Sequence, residues 1–245
     1  MTRRICLKAA MGWALAGMLM GAQDAPKTDA PKPDAEGFVS LFDGKTLNGW
    51  DGMPGYWSVV DGAIVGKEEK EKSEQTFLIY KGKNFANFEL HFKYKFGTPD
   101  GNSGIQLRSK VITPATWRVG GYQADMDGKT GYDGSIYDEA KVAGRQVTLS
   151  NRGEKTVWTA EGKREVDKLP ESNAELKKFI HTGGWNEAVV VCDGPHITYS
   201  INGHLMTDMT DNSSMALKEG VLALQLHKGF TMEIEFKDLK IKELK

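Results

Sequence analysis

Cysteine is nearly absent. The chain of 245 residues holds two, Cys6 and Cys192, too few for a disulfide framework, and neither stands in a CxxC or Cys/His spacing that would hold zinc. A surplus of either charge is missing as well. Lys+Arg 32 against Asp+Glu 33 leaves a formal net charge of −1, which excludes the basic excess of a nucleic-acid binder and the charge asymmetry of an acidic tail. Long apolar runs are lacking too: the longest, Ala9 to Met20, has about a dozen residues where a membrane-spanning helix needs roughly 20. Helical periodicity is equally scarce. Only Ser172 to Phe179 reads as a short helix, with Ser172 as its cap and Glu175 three residues on. What the chain has instead is glycine, 28 residues of it, and 40% apolar residues, in a length that suits one large domain or two small ones.

The first 22 residues read as a secretory signal peptide, because Arg3, Arg4 and Lys8 precede the apolar run and Gly21 and Ala22 follow it. The expected location is therefore exported, periplasmic or secreted. Residues 23–36, QDAPKTDAPKPDAE, carry three prolines and no large apolar side chain, the composition of a linker. A folded domain is expected over 37–245.

Strands dominate that domain. Phe88 to Phe96 places apolar side chains at every second position, the period that sends one face of a strand to a core and the other to water. Ile197, Tyr199 and Ile201 alternate in the same way into Asn202-Gly203, a strong hairpin signal, with the next strand expected from His204 to Met209. Met232, Ile234 and Phe236 alternate, and the phase then slips to Leu239 and Ile241, which predicts a bulge at Lys237-Asp238. The run Glu68 to Glu74 (EEKEKSE) is expected to be a solvated loop. Many strands with glycine-rich turns and one short helix predict an all-β, antiparallel two-sheet sandwich or jelly roll.

Four strands carry a leftover face of another kind. Burying Ile105 and Leu107 sends Gln106 and Arg108 to the opposite side. The same logic turns Gln123 and Asp125 outward from their strand, Tyr137 and Glu139 outward beside a buried Ile136, and Gln225 and His227 outward from a run of buried leucines. These are amides and ionisable groups rather than the lysine and glutamate of an ordinary wet surface, so neighbouring strands of this kind would line a polar cleft. A structural ion pair of Arg108 with Asp125 or Glu139 is the plainer alternative for any one of them. Nearby loops offer Asn102, Trp117 and Trp185-Asn186, aromatic and amide groups suited to stacking and hydrogen bonding a sugar. Trp50 and Trp57 are expected in the core.

In order along the chain, Phe38 to Trp50 (FVSLFDGKTLNGW), Asn102-Ser103-Gly104-Ile105 with Arg108-Ser109, Gly121 to Asp125 (GYQAD), Gly134 to Glu139 (GSIYDE), Trp185-Asn186, Asn202-Gly203, Leu224 to His227 (LQLH) and Phe236 to Leu244 resemble the 3-keto-disaccharide hydrolase family, also called the DUF1080 domain. The resemblance covers Gly37 to Leu244. It implies a concanavalin A-like, laminin G-like jelly roll, and action on glycosides whose C3 hydroxyl has been oxidised to a ketone by an upstream sugar 3-dehydrogenase. The glucanase signature ExDxxE is missing, so no double-displacement mechanism is carried over.

A C3 ketone acidifies the proton on C2, and its removal lets the glycosidic oxygen leave from C1, after which water adds back. Such a route needs one base, a donor or cation for the C3 oxygen, and an acid for the leaving group, with no carboxylate pair at glycosidase spacing. The expected assignment makes Asp125 or His227 the base, Arg108 the enediolate stabiliser and Tyr137 or Glu139 the acid. Asn102, Gln106, Gln123, Trp185 and Gln225 would position the sugar. No cofactor is required; a divalent cation held by Asp125, Glu139 and His227 is a further option, because hard oxygen and nitrogen ligands suit such an ion. The rival from another class is a lectin-like carbohydrate-binding module, which needs no base.

Overall fold

The computed structural model describes residues 32–69, 75–145 and 147–245. The expected signal peptide and the greater part of the linker lie outside the described residues. Two sheets face one another. The first has ten strands in the order β12 (Arg164–Lys168), β11 (Glu154–Trp158), β15 (His204–Asp211), β14 (His196–Ile201), β13 (Asn186–Asp193), β6 (Phe88–Phe96), β17 (Met232–Glu243), β4 (Ala63–Glu68) and β3 (Trp57–Val60), with β1 (Val39–Ser40) beside β17. The second has seven, β10 (Thr148–Ser150), β9 (Ile136–Glu139), β8 (Arg118–Asp127), β7 (Asn102–Thr113), β16 (Val221–Leu226), β5 (Thr76–Tyr80) and β2 (Trp50–Gly52). Among the described strands every pairing is antiparallel except β11 on β15.

The core lies between the sheets and follows the period-two pattern. From β6 come Phe88, Leu90, Phe92, Tyr94 and Phe96, all buried, and from the opposing sheet Ile105, Leu107, Tyr122, Ala124, Met126, Ile136 and the leucines 222, 224 and 226. Fixing those positions inward leaves Gln106, Gln123, Asp125, Tyr137, Glu139 and Gln225 on the outer face of the seven-stranded sheet. The far half of the β7–β8 hairpin folds back over part of that face, where Val111, Trp117 and Val119 pack with Phe77, Ile79, Val221 and Ala223. One side of the outer face is thus apolar and covered, the other polar and open.

The turn and cap signals correspond to observed geometry. Asn202 and Gly203 both take positive φ, 51° and 81°, as a two-residue hairpin of the mirror-image type demands. The slip in β17 falls between Lys237 and Lys240 in its pairing with β6, with Asp238 at φ 53°. Ser172 and Glu175 form a reciprocal capping box at the start of α1 (Asn173–Leu176). Trp50 is buried, and Trp57 is partly buried against the core. The run EEKEKSE departs from expectation at its start: Glu68 closes β4 and is buried, while residues 70–74 lie outside the described residues. No described helix is long and apolar enough to cross a membrane.

Candidate functional site

A cleft of about 520 Å³ opens on the polar half of the seven-stranded sheet, lined by Asn102, Gln123, Asp125, Tyr137, Glu139 and His227 from the expected set, and by Gln75, Arg118, Tyr132, Thr148 and Lys228 besides. Pairing explains the convergence. Gln106 lies opposite Gln123, Gly104 opposite Asp125, and Gln123 opposite Tyr137, so side chains of β7, β8 and β9 rise from adjacent points of one surface.

Beneath the cleft runs a chain of amides. Ser109 Oγ donates to Gln106 Oε1, Gln106 Nε2 to Gln123 Oε1, and Gln123 Nε2 to Asp125 Oδ1 at 2.6 Å. Gln106 and Gln225 are fully buried, so they support the lining side chains rather than face the cleft. Gln225 does so through Nε2, 3.4 Å from Glu139 Oε2. The order of this layer depends on a missing side chain, since a Cβ at Gly104 would stand 2.4 Å from Gln123 Cγ. Gln123 therefore lies flat across β7 only because residue 104 is glycine.

Two carboxyl groups share the site. Asp125 is 5% exposed, and loss of solvent raises its pKa well above the usual aspartate value; Gln123's hydrogen bond opposes the shift, and the charges of Glu139, Asp133 and Asp127 add to it. Glu139 is also raised by burial, but Arg118 and His227 oppose the rise. Arg118 Nη2 meets Glu139 Oε1 at 2.9 Å. Both carboxyl groups are thus raised, Asp125 the further of the two, while Glu139 keeps a cation beside it. His227 is oriented by its own chain: its Nδ1 lies 2.8 Å from the carbonyl oxygen of Lys228. A carbonyl only accepts, so Nδ1 carries the hydrogen, and in the neutral ring Nε2 is left as the basic nitrogen.

Three expected members lie elsewhere, and the first of them, Trp117, packs in the covered apolar half with its Nε1 donating to Asp51 Oδ1. Arg108 is buried at 1% exposure within a register shift of the β7–β8 pairing, between Leu107 and Lys110, with φ 48°. The left-handed residue breaks the alternation, and the guanidinium turns away from Gln106's face to donate to the carbonyls of Ala86, Gly194 and Leu217 and to Asn87 Oδ1. It is a buried tie between three loops and is removed from the site. Trp185 precedes β13 in the ten-stranded sheet, where its ring lies under Lys237 Nζ at 4.0 Å and Lys95 Nζ at 5.1 Å, and so it lines no part of this cleft. Asn186 beside it is buried and bonds back to His181 and Gly184.

Arg118, Gln75 and Tyr132 escape a reading from the sequence. Arg118 follows the turn Pro114–Thr116 and precedes Gly120-Gly121, and Gly121 at φ 147° breaks the phase, so counting back from Gln123 misplaces it. Among the described residues no group of three or more His, Cys, Asp or Glu is placed to hold a metal ion. Asp125, Glu139 and His227, the optional ligand set named above, are not placed as such a group.

Residues 37–242 match the sequence model of a family described as a 3-keto-alpha-glucoside-1,2-lyase-like domain. The chain is 38% identical over 89 residues to a 3-keto-disaccharide hydrolase of Bacteroides thetaiotaomicron, a match spanning 33% of this chain and 30% of that relative. Among solved structures it is similar in fold to a candidate glycosyl hydrolase of Parabacteroides distasonis, at 22% identity and a TM-score of 0.55, covering 86% of this chain and 95% of that one. It is also similar to the carbohydrate-binding module CBM66 of Bacillus subtilis, at 14% identity and a TM-score of 0.50, covering 80% and 96%.

Proposed function

The chain belongs to the family of 3-keto-α-glucoside-1,2-lyase-like domains, and from that premise we propose that it cleaves the glycosidic bond of 3-keto-glycosides by removing the C2 proton. His227 Nε2 takes that proton. The electron pair forms a C1–C2 double bond as the C1–O bond breaks, and the raised carboxyl of Asp125 gives its proton to the departing oxygen. Charge that builds on the C3 oxygen during proton removal is met by the Arg118 guanidinium, which takes the part expected of Arg108. Water then adds across the double bond, hydroxyl to C1 and hydrogen to C2, and the net change is hydrolysis. Asn102, Gln123 and Tyr137 hold the ring, with Gln106 and Gln225 fixing the side chains above them.

One observation carries this reading over that of a binding module. The cleft pairs a carboxyl whose pKa burial raises well above the usual aspartate value with an imidazole whose basic nitrogen is defined by a backbone contact. A module that only binds sugar gains nothing from either. The same reading includes an exported protein, supported by the signal-like residues 1–22 and the linker 23–36 ahead of the unit 37–245. It also includes an upstream sugar 3-dehydrogenase, since the ketone must come from oxidation at C3. The test is incubation with a 3-keto-α-glucoside and with its unoxidised parent. Aglycone release from the ketone alone is expected; release from neither would leave the binding module as the function.

A further inference from the structure

The segment between β8 and β9, residues 128–135, receives more buried polar support than a connecting loop requires. Asp133 is fully buried; it accepts from Tyr94 Oη at 2.6 Å with one oxygen and from the Asp127 amide at 3.1 Å with the other. Asp127 in turn accepts from the amides of Lys129 and Tyr132. Arg152, 3% exposed, donates to the carbonyls of Asp133 and Thr130 and to Asn173 Oδ1. A loop held by three buried charged side chains is rigid by construction. What it presents is Tyr132, a residue 57% exposed that lines the cleft. A large aromatic left in water on a fixed backbone, beside a polar cleft, is the arrangement of a binding anchor.

Its position relative to the chemistry gives the anchor a partner. The loop is tied to the acid itself: the Asp125 amide donates to the carbonyl of Ser135, and the Gly134 amide donates to the carbonyl of Asp125. The loop joins β8, the strand of Asp125, to β9, whereas His227 and Lys228 follow β16 on the other side of β7, so Tyr132 rises beside the strand of the acid. An acid that protonates the departing oxygen lies beside the group that departs. We propose that Tyr132 is the platform for the leaving-group ring, stacking on the apolar face of a second sugar, and that this residue sets how far a keto-disaccharide outruns a keto-glycoside with a small alkyl group. This rests on the function proposed above.

The experiment compares 3-keto-trehalose with methyl 3-keto-α-glucoside in wild type, Tyr132→Ala and Tyr132→Phe, measuring kcat/KM and, for each sugar, the equilibrium Kd. The wild type is expected to favour the disaccharide. Tyr132→Ala should reduce that preference about five- to tenfold, the scale of one aromatic stacking contact, while Tyr132→Phe, which keeps the ring face, should retain it. An unchanged preference in Tyr132→Ala, or no preference in the wild type, overturns the platform. If neither sugar is turned over but the difference in Kd persists and is lost in Tyr132→Ala, the platform stands and the catalytic reading fails.

Discussion

At the scale of single residues, the proposed reaction divides its labour between groups that sequence types alone do not separate. Asp125 and His227 are equivalent candidates for the base until their surroundings are known. Burial raises the pKa of Asp125 and favours it as the acid, and the Lys228 carbonyl leaves Nε2 of His227 as the basic nitrogen. The two roles fail differently. Removing a general acid matters most when the departing oxygen is a poor leaving group, and on the order of 10²- to 10⁴-fold is the usual scale for such a group. Asp125→Asn should therefore lose turnover on a 3-keto-disaccharide while retaining most of it on a 3-keto-glucoside with a nitrophenyl leaving group. His227→Ala should lose both. Equal losses for the two substrates in Asp125→Asn would show that Asp125 is not the acid. Both variants should fold, because neither side chain belongs to the core between the sheets.

At the scale of elements, the alternating strands were legible and the irregular joins were not. Phe88 to Phe96 and the phases around Ile105, Tyr122, Ile136 and Leu224 can be read because a sheet buried on one face writes its period into the chain. That reading correctly brings Gln123, Asp125, Tyr137 and Glu139 to one surface. It fails at Arg108 and Arg118 for one reason: positive φ at Arg108 and Gly121 interrupts the period between them, and residues on opposite sides of an interruption cannot be phased from each other. Trp185 is misplaced because aromatic type says nothing of which sheet a loop adjoins. The loop 128–135 is silent in the sequence for a different reason, since its order comes from Asp127, Asp133 and Arg152, which meet only in the fold.

That loop makes the stability of the protein depend on pH. Burial lifts Asp133 to about 7, against the opposing hydrogen bonds from Tyr94 and the Asp127 amide. Between the ordinary aspartate value and that raised value the native state binds more protons than the unfolded chain, so stability falls as pH rises through the interval, with the full cost present above it. Asp125 and Glu139 are shifted in the same direction and add to the effect. The melting temperature should drop by a few degrees between pH 5.5 and pH 8.5, and Asp133→Asn should shrink that drop. A melting temperature that rises over the same interval would contradict this account of the loop.

At the scale of the whole molecule, two large sheets bury the apolar faces of their strands against each other and leave the outer face of the smaller one half covered by its own β7–β8 hairpin. The uncovered half is the proposed reaction surface, and a rigid sheet floor suits a reaction whose demand is placement of a base, an acid and a cation around one ring. The central claim is that the bond to the C2 proton breaks. Cleavage of a 3-keto-α-glucoside carrying deuterium at C2 tests it directly, together with the unlabelled sugar in heavy water. A primary isotope effect on aglycone release is expected when proton removal limits the rate, together with solvent deuterium at C2 of the released keto sugar. Release of aglycone with the original C2 hydrogen retained, and no isotope effect, would contradict it.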